Sequence, residues 1–321
     1  MKFTDKITAQ QALKKSDPDV GSVGGRTAPL ERTKMTLSDI RSDLGPEGGK
    51  SMAEPTVSIV IPARNEAANL PHVFSKFNPA DYHEVILVDG DSTDGTVAVA
   101  RGLYPDIIVM GQTRRGKGNA LACGFRMATG DFIVMLDADG STDPAEIPRF
   151  VTALREGADF AKGSRFMPGA GSSDISRLRQ AGNFWLNKVV NLFYGTRYTD
   201  LCYGYNAFRR DCLSVMELVP GVVPDSEQGD MLWGDGFEVE TLINVRIAKA
   251  GLHVAEVPSF EHSRHSGASN LNAFSDGIRV LRTIHFERKR GARRAAIRSA
   301  GAARQAGSTW AVLSTVGQEP H

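Results

Sequence analysis

Gly130-Asp131-Phe132-Ile133-Val134-Met135-Leu136-Asp137-Ala138-Asp139-Gly140-Ser141-Thr142-Asp143 is the stretch that decides the fold class. Phe132 to Leu136 is a short unbroken apolar run, the pattern of a strand buried on both faces of a parallel sheet. Asp137 and Asp139 stand at its carboxyl end, one small residue apart, where an open α/β sheet binds its ligand. Hard carboxylate oxygens in that position suit Mg2+ or Mn2+ shared with substrate phosphates. The plain alternative is a polar loop with a capping acid. Gly140 turns the chain, and Asp143-Pro144-Ala145-Glu146 has the N-cap, N1 proline and N3 glutamate of a helix start.

Outward from this strand the same pattern repeats. Upstream, Val57 to Pro62, Glu84 to Asp89 and Asp106 to Met110 are apolar strand candidates. Helices are expected from Asn69, over Thr96 to Leu103 and from Gly116 to Ala128. Strand and helix therefore alternate, which predicts an α/β fold with a mostly parallel sheet flanked by helices. Downstream, Asp159 to Gly163 is a strand and 177–195 a helix, with Asn183, Asn187 and Asn191 on one line and apolar residues over most of the remainder. The plain reading of that helix is a buried one; the other is a membrane-surface helix. Asp200 to Phe208 is expected to be extended, Phe237 to Ala250 helical and ended by Gly251, His253 to Pro258 a strand, and 272–288 helical.

The whole chain sets bounds on these readings. Its 321 residues carry a net charge of +1, which argues against a nucleic-acid partner. Residues 1–54 are rich in Gly, Ser, Asp, Lys and Pro and are expected to be a disordered extension. Residues 55–288 form the expected domain, and 289–321 a basic flexible tail. Three cysteines without metal-ligand spacing, and no signal-peptide pattern, point to a cytoplasmic protein. No apolar run approaches the roughly 20 residues of a membrane span, so any membrane contact is expected to be peripheral, on the inner face.

Four motifs in order then carry a resemblance. Ile61-Pro62-Ala63-Arg64-Asn65-Glu66, Val88-Asp89-Gly90-Asp91-Ser92-Thr93-Asp94-Gly95-Thr96, Gly116-Lys117-Gly118-Asn119-Ala120 and Leu136-Asp137-Ala138-Asp139-Gly140 resemble the inverting glycosyltransferases of family 2, which have the GT-A fold. Gly163-Ser164-Arg165, Asp200 to Tyr205, Phe237-Glu238-Val239-Glu240 and Arg264 to Ser269 extend the resemblance to the dolichyl- and polyprenyl-phosphate mannose and glucose synthases. The resemblance implies a nucleotide-sugar donor and a divalent metal, with a polyprenyl monophosphate or, alternatively, a small-molecule hydroxyl compound as acceptor. It places Pro62, Ala63, Asn65 and Glu66 around the base and ribose, with Asp89 bonding the base. Lys117 is placed at the diphosphate, Asp137 and Ala138 at the ribose and metal, Asp139 on the metal, and Arg165 and Arg264 on phosphates.

A hydroxyl acceptor needs a carboxylate base, for which Asp235, Glu238 and Glu240 are the candidates. A lipid phosphate is already ionised and needs none. Three departures from the family pattern matter. Ala63-Arg64 stands where an aromatic often follows the proline, which bears on base specificity. Asp89-Gly90-Asp91-Ser92 stands in place of Asp-Asp-x-Ser, so that only Asp89 carries over, and Asn270 stands where the synthases often carry a lysine, which bears on the phosphate acceptor. A nucleotidyltransferase and a silent sugar-nucleotide binding module are the rival readings. The first lacks its Gly-rich loop after the first strand; intact Asp137 and Asp139 argue against the second.

Overall fold

Successive strand residues point to opposite faces of a sheet, and here both faces are apolar. Ile59, Ile61, Leu87, Val134 and Ala207 pack into one core cluster, while Val60, Ile86, Val88, Ile133, Met135 and Phe208 pack into the other. A sheet of this kind must be covered on both sides, which sets the layering.

The computed structural model describes residues 54–219, 231–267 and 277–290. In chain order the elements are β1 (Val57–Ala63), α1 (Leu70–Phe74), β2 (Glu84–Asp89), α2 (Thr96–Leu103), β3 (Ile108–Gly111), α3 (Lys117–Met127), β4 (Phe132–Met135), α4 (Ile147–Arg155) and β5 (Phe160–Ser164). They continue with β6 (Gly171–Ser172), α5 (Arg177–Tyr194), β7 (Asn206–Arg209), α6 (Leu213–Met216), α7 (Val239–Ala250), β8 (Val254–Pro258) and β9 (Phe260–Glu261), and then a helix α8 over 277–290. The expected extension and tail, and the motif residues Ser269 and Asn270, lie outside the described residues, apart from Glu54 at one end and 289–290 at the other.

The main sheet has the order β3-β2-β1-β4-β7-β5-β8, and β6 pairs with β9 beside it. Only β7 runs against its neighbours, antiparallel to both β4 and β5. The expected mixed, mostly parallel sheet is therefore present. The carboxyl ends of β1, β2, β4 and β5 open on one edge. Helices α1 and α4 cover the first core cluster, and α3 and α7 the second.

Two local expectations change. Asp143 does cap, accepting from the Ala145 amide at 3.0 Å, but what it opens is a 3-10 turn over Pro144–Glu146 that leads into α4. Glu146 does not complete a capping box, because its carboxylate accepts instead from Ser259 Oγ and from the Phe260 amide. In α5 it is Asn183 and Asn187 of the asparagine line that are buried, with Asn191 partly so, and Phe184, Trp185, Leu192 and Phe193 are exposed. The reason is backbone satisfaction. Asn191 donates to Tyr198 O and accepts from Tyr198 N, Asn187 donates to Thr199 O, and Asn183 accepts from Cys202 N, so the asparagines serve a segment that lies in no strand.

Candidate functional site

The strand ends at the carboxyl edge carry loops that are tied to each other. Asn65, at φ 56, accepts from the Thr93 amide at 2.9 Å. The Glu66 amide donates to Thr96 Oγ1 and the Ala67 amide to Asp94 Oδ2. These bonds lock the β1 loop onto the β2 loop. Beside them opens a cleft of about 1150 Å³. Pro62, Ala63, Asn65, Glu66, Lys117, Asp137, Ala138, Asp139, Arg165 and Arg264 all line it, from segments far apart in sequence. Asp89 does not. It ends β2, where Oδ2 accepts from the Ser92 amide and Oδ1 is buried with no hydrogen-bond partner.

Cationic side chains meet both acids of the central loop. The Lys117 ammonium, at the start of α3, lies 2.7 Å from Asp137 Oδ1 and 2.9 Å from Glu240 Oε1. Burial opposes its charge, but Asp137 and Glu240 outweigh it and hold its pKa above the ordinary lysine value. Arg264 donates to Asp139 Oδ2 at 3.1 Å and to Glu66 Oε1. Asp139 Oδ1 accepts from Ser141 N at 2.9 Å. Burial raises the Glu66 pKa, and its bonds with Asn69 and Arg264 offset only part of that. Asp137 and Asp139 are thus two hard oxygen donors that already draw positive charge to the floor of the cleft. That donor set fits a divalent cation shared with a diphosphate.

Arg165 lines the cleft, but its donors are engaged. Nε and Nη2 bond Asp200 at 2.7 and 2.9 Å, Nη1 bonds Glu261 Oε2 at 2.9 Å, and the guanidinium lies over the Tyr203 ring at 4.8 Å. Asp200 was visible in sequence only as part of a motif without a role. Glu261 carried no local signal, since nothing near it in the chain points to a partner 96 residues away.

The base candidates separate. Asp235 and Glu238 do not line the cleft. Asp235 is buried and takes a two-pronged ion pair from Arg114, both bonds 2.8 Å. Glu238 Oε1 accepts from the amides of Gly234 and Gly236. Both are drawn into the turn that precedes α7, away from the cleft where a base would have to stand. Glu240 does line the cleft, held to Lys117. Sequence reasoning passed over Arg114, which no motif flagged.

Comparison with known proteins bears on the family and the fold. The family model for glycosyl transferase family 2 matches residues 58–216. Glycosyltransferase AglJ of Haloferax volcanii is 31% identical over 230 residues, covering 69% of this chain and 68% of the relative. Polyprenol monophosphomannose synthase of Mycolicibacterium smegmatis is 31% identical over 223 residues, covering 67% of this chain and 80% of its own. Undecaprenyl-phosphate mannosyltransferase of Micrococcus luteus is 29% identical over 238 residues, covering 72% and 93%. Among solved structures, glucosyl-3-phosphoglycerate synthase of Mycobacterium tuberculosis, in complex with Mn2+, UDP and glucosyl-3-phosphoglycerate, superposes with a TM-score of 0.56 at 21% identity, covering 81% of this chain and 86% of that one. That likeness shows the shared GT-A fold.

Proposed function

Because this chain belongs to glycosyl transferase family 2, we propose that it moves a hexose, with inversion, from a nucleotide-diphospho-sugar to a polyprenyl monophosphate. The observation that carries the acceptor is the wall of the cleft formed by α5. Leu178, Arg179, Gly182, Asn183 and Leu186 line the cleft, while Leu178, Phe184, Trp185 and Leu192 stand exposed on the same helix. α8 lies beside it, with Tyr194 donating to Ile284 O and Arg288 over the Phe193 ring, and it adds exposed Ile278, Leu281 and Phe286. Arg177, Arg179, Lys188, Arg279, Arg282, Arg288 and Lys289 accompany these residues. The one acid of the two helices, Glu287, is buried against Arg246 and Lys249. Apolar surface ringed by cations fits an anionic bilayer. A lipid acceptor at such a surface enters the cleft along α5. Among the described residues no helix is long and apolar enough to cross a membrane.

The donor lies over the β1 and β2 loops. Asp89 Oδ1, buried and unpartnered at the end of β2, does not line the cleft, and it meets an imide or amide N–H of the base only once the β2 loop moves aside. Asp137 and Asp139 would hold Mg2+ or Mn2+, which neutralises the leaving diphosphate when bound. Lys117, at the first turn of α3, and Arg264 turn from their carboxylates toward the phosphates as these arrive. Arg165, held by Asp200 and Glu261, shapes the wall beside them. The ionised acceptor oxygen attacks the anomeric carbon from the face opposite the leaving group, and no protein base takes a proton. A soluble hydroxyl acceptor would need such a base. Of the three carboxylates suggested for it, two are outside the cleft and the third is held by Lys117.

The test is direct. UDP- and GDP-hexoses are offered with MnCl2 and either a short-chain polyprenyl monophosphate in detergent or a panel of soluble hydroxyl acceptors. Product on the lipid phosphate alone, lost in Asp139→Ala and in excess EDTA, is the expected result. Transfer only to a soluble hydroxyl compound overturns the acceptor, and full activity of Asp139→Ala overturns the metal.

A further inference from the structure

At the border of the cleft, the turn 232–238 makes a close backbone contact with the start of α3. The Gly118 amide donates to Asp235 O at 2.7 Å. A Cβ on Gly116, which sits at φ +115, would come within 2.0 Å of Asp235 O, and one on Gly118 within 1.8 Å of Gly234 O. Any side chain at these positions would push the helix start off the turn. The turn is itself fixed from both sides. Arg114, two residues before Gly116, grips both Asp235 oxygens and also donates to Val219 O, and the Leu232 amide donates to Asp235 Oδ2 at 2.7 Å. Glu238 Oε1 takes the Gly234 and Gly236 amides. Asn119 Oδ1 takes the Thr113 and Arg114 amides, closing the loop before α3 on itself.

Lys117 lies between the two glycines docked on this turn. The same segment runs on into Glu240, which holds the Lys117 ammonium. One rigid body therefore sets both the backbone of Lys117 and one of its two carboxylate partners. We infer that Asp235, through Arg114 and the 234–236 turn, is a positioning residue for Lys117, fixing where its ammonium can meet the donor diphosphate. This rests on the reading of Lys117 as a diphosphate ligand. It gives the acids of Trp233-Gly234-Asp235-Gly236-Phe237-Glu238 a task other than proton transfer.

The experiment is a thermodynamic cycle on the full chain. Wild type, Asp235→Asn, Lys117→Ala and the double variant are titrated calorimetrically in MnCl2 with UDP and GDP, and then with the nucleoside of whichever base binds more tightly. Asp235→Asn is expected to weaken the nucleoside diphosphate about tenfold, as for a charge-assisted bond held out of place, and to leave the nucleoside unchanged. In the Lys117→Ala background it should cost nothing further. Equal losses of nucleoside and nucleoside diphosphate, additive losses in the double variant, or no loss in Asp235→Asn would overturn the inference. If Lys117→Ala alone keeps full diphosphate affinity, the placement of Lys117 at the diphosphate fails, and the inference with it. Should Asp235→Asn not fold, Arg114→Lys makes the same comparison, because it keeps the charge but loses the two-pronged geometry.

Discussion

Arg165 shows how one residue can be legible in sequence while its partners are not. Gly163-Ser164-Arg165 marked it, yet its neighbours Asp200 and Glu261 come from 35 and 96 residues away. Burial alone would raise the Asp200 pKa, but the Arg165 bonds and charge outweigh it and hold it below the ordinary aspartate range. A depressed carboxylate contributes stability that is present above its unfolded pKa, about 3.9, and is lost as pH falls through the folded value. We therefore expect urea-unfolding free energy to drop, as pH falls below about 4, more steeply in wild type than in Asp200→Asn. The variant should be about 3 kcal/mol less stable at pH 7, because it leaves a buried guanidinium short of a partner. Parallel pH profiles would contradict this account of the pair.

At the scale of elements, packing decides where sequence gave alternatives. α3 lies so close to the sheet that a Cβ on Gly124 would come within 2.4 Å of Val60 Cγ1 and 2.9 Å of Val88 Cγ2. Gly124→Ala should lower stability by about 1–3 kcal/mol in urea despite the better helix propensity of alanine, since overpacking exceeds the gain of about 1 kcal/mol from propensity. A stabilised variant would show that the helix can lift from the sheet at no cost. α5 behaves in the opposite way, because Leu178, Trp185 and Leu192 on it are exposed. Replacing Leu178, Trp185 and Leu192 together by glutamine should move Tm by less than about 3 °C, as expected of exposed positions. Sedimentation with phosphatidylglycerol vesicles should fall sharply in that variant. Unchanged sedimentation would remove the bilayer from the proposed function.

For the molecule as a whole, donor binding should appear as stability. The cleft draws on loops from β1, β4 and β5 and on residues of α3, α5 and α7, so a ligand there ties together parts that meet only in the native state. At about 100 times its dissociation constant, a nucleoside diphosphate with MnCl2 should add about 2.7 kcal/mol, seen as a rise in Tm that EDTA reverses. A rise of equal size with EDTA present would mean that the nucleotide binds without the cation.

The sequence by itself determined the alternating strands and helices, the edge at which their loops open, and the acids Asp137 and Asp139. Each of these is a local signal: an apolar run, a turn glycine, a polar residue at a strand's end. It also carried the family, because Pro62, Asp89, Lys117 and Asp139 stand in order along one segment. Tertiary structure alone decided which charges meet. It placed Arg264 on Asp139 and Glu66, Lys117 on Asp137 and Glu240, and Asp235 under Arg114 rather than in the cleft. It also turned the asparagines of α5 inward, onto the unpaired backbone of 198–202, and left the aromatic residues outside. Periodicity counts apolar residues along a helix, but it cannot see a distant backbone segment that needs hydrogen bonds more than the core needs another ring.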